Sequence, residues 1–207
     1  MSFTGFTADD FDVFTVPGLE GRMEVLIERV RPKLETLGAE IAPYISALCG
    51  EEMFVHVAKH ARRTVNPPID TWVAWAANKR GYKALPHFEV GMFESHLFII
   101  FAIIYESPNK TTFARNLEKE ISEIQLSLPK AYYWSTDHMS PGGTPHEDMD
   151  QERFDILINK LKQVKKAEVM CGLRIPREEA AKLSGDELVE KIQETFETLL
   201  PLYRMAF

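Results

Sequence analysis

Three histidines, His56, His60 and His87, lie within a few residues of six cations: Lys59, Arg62, Arg63, Lys79, Arg80 and Lys83. Asp70 is the sole acid between Met53 and Phe88, so that stretch carries +5 in a chain whose net charge is −7, leaving −12 for the rest. A charge asymmetry this local points to an anion site or to an internal network of ion pairs. Guanidinium groups present planar forks that fit phosphate or carboxylate with two hydrogen bonds. Pro67 and Pro68 stiffen the chain after Arg62 and Arg63, and Gly81 frees the backbone in a second cationic turn, Asn78 to Lys83. If both turns lie at one end of a sheet, their charges converge on a phosphate-sized pocket.

Histidine titrates near neutrality, so a His-rich face beside arginines can also serve as a general acid/base surface. His56 and His60 have the four-residue spacing that pairs zinc ligands on a helix, but the run around them reads as a strand. There, residues four apart lie roughly 13 Å from one another, too far to share an ion. The residues between them are Val, Ala and Lys, without the glutamate of a zinc-protease motif. No metal and no cofactor is expected. Trp72, Trp75, Tyr82 and Trp134 could stack a nucleotide ring beside the charge. Trp72 and Trp75 differ by an odd number, however, so in a strand they face opposite ways and at least one belongs to the core. The loop from Ser135 to Gly143 holds Asp137, His138 and two glycines, which suits a lid or a plain surface loop; it contains no nucleophile elbow and no phosphate loop.

The elements that must position these groups follow from periodicity. Thr7 and Asp10 resemble a capping box that opens a short helix through Phe14. Apolar residues at three- and four-residue spacing from Leu19 to Ile45 predict helices, with Pro32 and Pro43 starting new segments or kinking them. Short β-branched and aromatic runs predict strands near 53–59, 71–77, 86–92 and 95–105. In the last of these both alternating sets are apolar, so it is a central strand covered on both faces. Short connections favour antiparallel pairing. A helix from Ser107-Pro108 follows, then a possible strand over 131–136. Thr144-Pro145-His146-Glu147 has the form of a helix start for a helix reaching about Lys166. A strand over 167–175 precedes a final helix opened by Ser184 and Glu187 and ending before Pro201. The fold expected is α+β: an antiparallel sheet of about five or six strands packed with N-terminal and C-terminal helices. It forms one domain over 1–207, helical over 1–50, sheet-forming over 53–105 and helix-rich over 107–207, with one or two further strands there.

Cys49 and Cys171 have no metal-ligand spacing and read as reduced, mostly buried thiols. The N-terminus lacks an export signal and the longest apolar run, Leu97 to Tyr105, is half a membrane span, so a cytoplasmic protein without membrane association is expected. Net acidity argues against general nucleic-acid coating but allows a local phosphate contact.

The segments Arg62-Arg63-Thr64-Val65-Asn66-Pro67-Pro68, Asp70-Thr71-Trp72, Asn78-Lys79-Arg80-Gly81-Tyr82-Lys83 and Pro86-His87-Phe88, with Gly5-Phe6-Thr7 and Phe11-Asp12-Val13-Phe14, resemble the YktB family of Bacillus-type bacteria over essentially the full length. That resemblance implies a compact α+β fold with an antiparallel sheet, a bacterial cytoplasmic location, and no assigned role or site residue. Three functions remain. One is a binding module for a phosphate- or carboxylate-bearing ligand, a small molecule, a nucleotide or a single-stranded nucleic-acid segment, held by Arg62, Arg63, Lys79, Arg80, Lys83, His56, His60 and His87. Another is a metal-independent hydrolase or transferase with His56 or His87 as general base. The third is an interaction protein whose ion pairs are purely structural.

Overall fold

The computed structural model describes residues 2–207. Asp10 closes the first capping box by accepting the Thr7 backbone N–H at 2.7 Å, and helix α1 runs over Ala8–Asp12 into a tight turn at Val13–Thr15. Asp10 is buried, and Lys33 Nζ at 2.5 Å supplies its counter-charge. Helix α2 (Leu19–Val25) passes through a π-helical turn at Leu26–Val30 into α3 (Arg31–Cys49). The wide turn immediately precedes Pro32, whose ring and missing N–H disfavour regular α bonding there. Pro43, expected to open or kink a segment, lies inside α3, which ends at Gly50 in the left-handed region (φ 78°).

Seven strands form one sheet instead of five or six: β1 (Phe54–Val57), β2 (Asp70–Ala76), β3 (His87–Phe93), β4 (His96–Ile103), β5 (Tyr133–Ser135), β6 (Thr144–Pro145) and β7 (Val169–Pro176). Their order is β1-β2-β3-β4-β7-β5-β6, and every pair is antiparallel. All of β4 is buried, as its double apolar pattern requires. Thr144 and Pro145 do not start the long helix; only a short 3-10 turn, His146–Asp148, follows them. Thr144 is held opposite Trp134 in the sheet, and helix α5 (Gln151–Gln163) begins later, where the Asp150 side chain accepts the Arg153 N–H. It ends three residues short of Lys166. Helix α4 (Lys110–Ser127) packs beside α5; the short α6 (Arg177–Ala180) leads to α7 (Gly185–Arg204), which continues through Pro201.

The helices pack on one face of the sheet. Val73, Trp75, Phe88, Val90, Leu97, Ile99, Phe101, Val169 and Cys171 meet Leu34, Leu37, Ile41, Phe113, Phe154, Leu188, Ile192 and Phe196 in one core. Each such side chain removed from water stabilises the fold by about 1.5–3 kcal/mol. Trp75 anchors it, fully buried, with its indole N–H on the Gly38 carbonyl at 3.0 Å. The opposite face has its own apolar cluster, to which no helix contributes: Phe93, Phe98, Ile100, Ala102, Ile104, Tyr133 and Met170, with Trp72 against it. Trp72 and Trp75 thus face opposite ways. Both cysteines are free, Cys171 fully buried and Cys49 partly so. Among the described residues no helix is long and apolar enough to cross a membrane.

Candidate functional site

Directly opposed residues of antiparallel strands share a face, so the register lays out the helix-free side row by row. One row reads Ala58, Trp72, Gly91, Phe98 and Arg174; the next reads His56, Ala74, Glu89, Ile100, Gly172 and Tyr133; Asp70 stands opposite Phe93 at the end of β2. Gly91 makes the floor possible, because a Cβ there would collide with the Phe98 ring and lie 2.6 Å from both the Thr71 carbonyl oxygen and Trp72 Cβ.

Three loops wall this floor. The segment 58–69 brings Lys59, His60, Arg62 and Arg63; 77–86 brings Tyr82 and Lys83; 136–143 brings Asp137, His138, Met139 and Ser140. Together they enclose a cleft of about 490 Å³, within the range of small-molecule sites. Each wall is tied down. Trp72 donates its indole N–H to the Tyr82 hydroxyl at 2.9 Å, and Arg174 Nη2 donates to the Gly142 carbonyl at 2.6 Å while its guanidinium lies 3.5 Å over the Tyr133 ring. Gly143 fits because it lacks a side chain: a Cβ would sit 2.8 Å from Arg174 Nη2. His60 adopts a positive φ of 52°, a strained backbone for a residue with a Cβ, and its ring packs edge-on against Trp72.

The eight residues singled out by sequence do not all meet. His60, Arg62, Arg63 and Lys83 line the cleft; Lys79, Arg80, His56 and His87 do not. The reason is topological: consecutive antiparallel strands place successive turns at opposite ends, so the two cationic bends flank β2 rather than sharing one end of the sheet. Lys83 reaches the cleft because its loop folds back over the face. Lys79 and Arg80 stay exposed at the far tip. The His56 ring bonds the Asn78 carbonyl at 2.8 Å. His87 is fully buried, its Nδ1 donating to the Leu85 carbonyl at 2.7 Å and its Nε2 3.2 Å from Glu89. Among the described residues none of the six cations of the basic stretch is ion-paired.

Other residues complete the site. Asp70 is 4% exposed, and its Oδ1 has no hydrogen-bond partner. Burial pushes its carboxyl up to about 6, against the pull of Arg63. Arg174 Nε is likewise buried without a partner. His138 is held by Glu168: Nδ1 lies 2.8 and 3.0 Å from the two carboxylate oxygens, and the backbone N–H donates to Oε1 at 2.8 Å. The Glu168 hydrogen bond raises His138 above the ordinary histidine value. Burial alone would raise Glu168, but the bonds from His138 hold it below the usual carboxylate range. Desolvation, reinforced by Arg63 and Arg31, drives His60 down to about 4, so it is neutral at physiological pH. Among the described residues no group of three or more His, Cys, Asp or Glu could hold a metal ion.

Glu168 and Arg174 carried no signal of their own in the sequence. Asp70 stood out as the lone acid of a basic stretch and His138 as a loop histidine, but their juxtaposition depends on pairing across the sheet.

Comparison with known proteins covers the whole chain. A family model described as a domain of unknown function (DUF1054) matches residues 6–203. A UPF0637 protein of Bacillus velezensis is 50% identical over 206 residues, covering 100% of this chain and 98% of its own length. UPF0637 proteins of Bacillus licheniformis and Bacillus mycoides are 48% and 44% identical, again over 100% of this chain and over 98% and 99% of theirs.

Proposed function

The chain belongs to the DUF1054 (UPF0637) family, and from its cleft we propose that it binds one small amphipathic molecule bearing an acidic group. The apolar body lies on Trp72, Phe93, Phe98 and Ile100, and the acid faces Arg63, Lys83 and Arg174. One observation carries this reading: cations from three separate segments rim a single apolar-floored cleft without being ion-paired, and Arg174 Nε and Asp70 Oδ1 are buried there without partners. Buried polar groups without partners cost about 1–3 kcal/mol each, a cost that a ligand supplying the complementary atoms removes.

The test uses 1-anilinonaphthalene-8-sulfonate, an aromatic anion of suitable size, titrated into protein shown to unfold cooperatively. The expected result is saturable one-to-one fluorescence enhancement, weakened about tenfold or more by Arg63→Ala and by Arg174→Ala, since a hydrogen bond to a charged group is worth about 1.5–3 kcal/mol. Absence of saturable binding, or titrations unchanged in both variants, would remove the proposal.

A further inference from the structure

Two proton-handling groups of opposite character line this cleft. His138 is gripped through Nδ1 by the buried Glu168 carboxylate, which fixes the ring and leaves Nε2 without a protein partner. Asp70, opposite Phe93 on β2, lines the same cleft almost wholly buried, with Oδ1 lacking a hydrogen-bond partner. A desolvated carboxylate is a base poised for a weak acid, and a histidine backed by a carboxylate is a donor to developing negative charge on oxygen. The serine hydroxyls nearby are committed to their own loop: Ser135 donates to the Asp137 carbonyl and Ser140 accepts the Gly142 N–H. With both serines bonded within their own loop, the constellation offers two proton transfers.

Resting on the binding reading above, we propose that the cleft enolises a small 2-oxo acid with an apolar tail, with Asp70 as base and His138 as acid. Asp70 removes a proton from the carbon next to the ketone. The C–H electron pair forms the new carbon–carbon double bond, the carbonyl π pair moves to oxygen, and that oxygen takes the proton from His138 Nε2. The product is the enol, an isomer of the substrate; protonated Asp70 and neutral His138 exchange protons with solvent, or run the steps backwards on an enol substrate. Arg63, Lys83 or Arg174 holds the carboxylate, and the aromatic floor holds the tail. Glu168 is a positioning residue that keeps His138 charged and oriented.

Burial lifts the Asp70 carboxyl to about 6 and the Glu168 hydrogen bond raises His138 above the ordinary histidine value, so the acid and the base coexist above pH 6. Asp70 faces His60 and Arg63 from the first loop, Glu89 from β3, and Asp137 and His138 from the third; His138 faces Glu168, Glu89 and Lys83. Activity should rise as pH passes about 6, where Asp70 ionises, and fall at higher pH as His138 loses its proton.

The experiment follows loss of the C3 proton signal of phenylpyruvate in deuterated water by NMR, beside displacement of the anilinonaphthalene dye by the same compound. Wild-type protein is expected to accelerate exchange over buffer with a bell-shaped pH profile. Asp70→Asn and His138→Gln should each lower the rate about a hundredfold or more, and His138→Gln should still bind the dye. Glu168→Gln should lower the rate and move the alkaline limb to lower pH, a change that mere loosening of the loop would not produce. Exchange no faster than buffer, whether or not phenylpyruvate displaces the dye, overturns the enolisation; so does a full rate in Asp70→Asn. Saturable dye binding in that case leaves the binding reading standing. Failure of the dye itself to bind removes the binding reading separately.

Discussion

The indole N–H of Trp72 and the hydroxyl of Tyr82 meet at 2.9 Å, joining the middle of β2 to the loop that follows it across ten residues of chain. Tyr82 also packs edge-on against His87, with ring centroids 4.9 Å apart, so one side chain holds the folded-back loop to the sheet. Tyr82→Phe keeps the packing and strands a largely buried indole N–H. The expected loss is about 1 kcal/mol, read as a lower urea midpoint at unchanged slope. A loss below about 0.3 kcal/mol would mean that water replaces the hydroxyl freely.

Asp70 should make the protein less stable as pH rises from about 4 to about 6. Its folded value of about 6 lies above the ordinary 3.8, so in that interval the folded state binds more protons than the unfolded one and stability falls with pH. The full effect is at most about 3 kcal/mol. Asp70→Asn should flatten this slope and raise stability at pH 7. Urea unfolding from pH 4 to 7 measures both, and a variant less stable than wild type at pH 7 would contradict the argument.

Gly91→Ala tests the floor of the cleft. The added methyl group overlaps the Phe98 ring and presses on Trp72 and the Thr71 carbonyl, so something must shift. Overpacking of this kind costs about 1–3 kcal/mol. The melting temperature should drop and dye affinity should fall with it; affinity preserved in a destabilised variant would separate Gly91 from the site.

Ser184→Ala removes the cap of α7, where the Ser184 hydroxyl accepts the Glu187 N–H at 3.3 Å and the Glu187 carboxylate accepts the Ser184 N–H at 2.8 Å. A loss of about 1 kcal/mol is expected, with no change in dye affinity.

That cap was legible in the sequence because its partners are three residues apart, and so was the one at Thr7. The first four strands were legible to within one or two residues at most boundaries, since alternation and turn residues are local signals. At Thr144 the same local signals misled: threonine, proline and glutamate have the chemistry of a helix start, but the backbone of Thr144 is engaged with Trp134, and Asp150 caps the helix instead. The basic stretch was visible as charge, yet its division into Arg63 and Lys83 beside the cleft and Lys79 and Arg80 away from it follows from strand direction. That Asp70 and His138 line one cleft, and that Arg174 meets Tyr133, depend on β7 lying between β4 and β5, an order that no short window of residues encodes.

With every helix on one side of the sheet, the two sides answer to different constraints. The helical side is an interlocked solid in which a change at one position disturbs many others. The loop side can be rewritten at a few positions in three segments, each fastened by a handful of bonds, so loop grafts between relatives should alter the cleft while leaving the scaffold beneath intact.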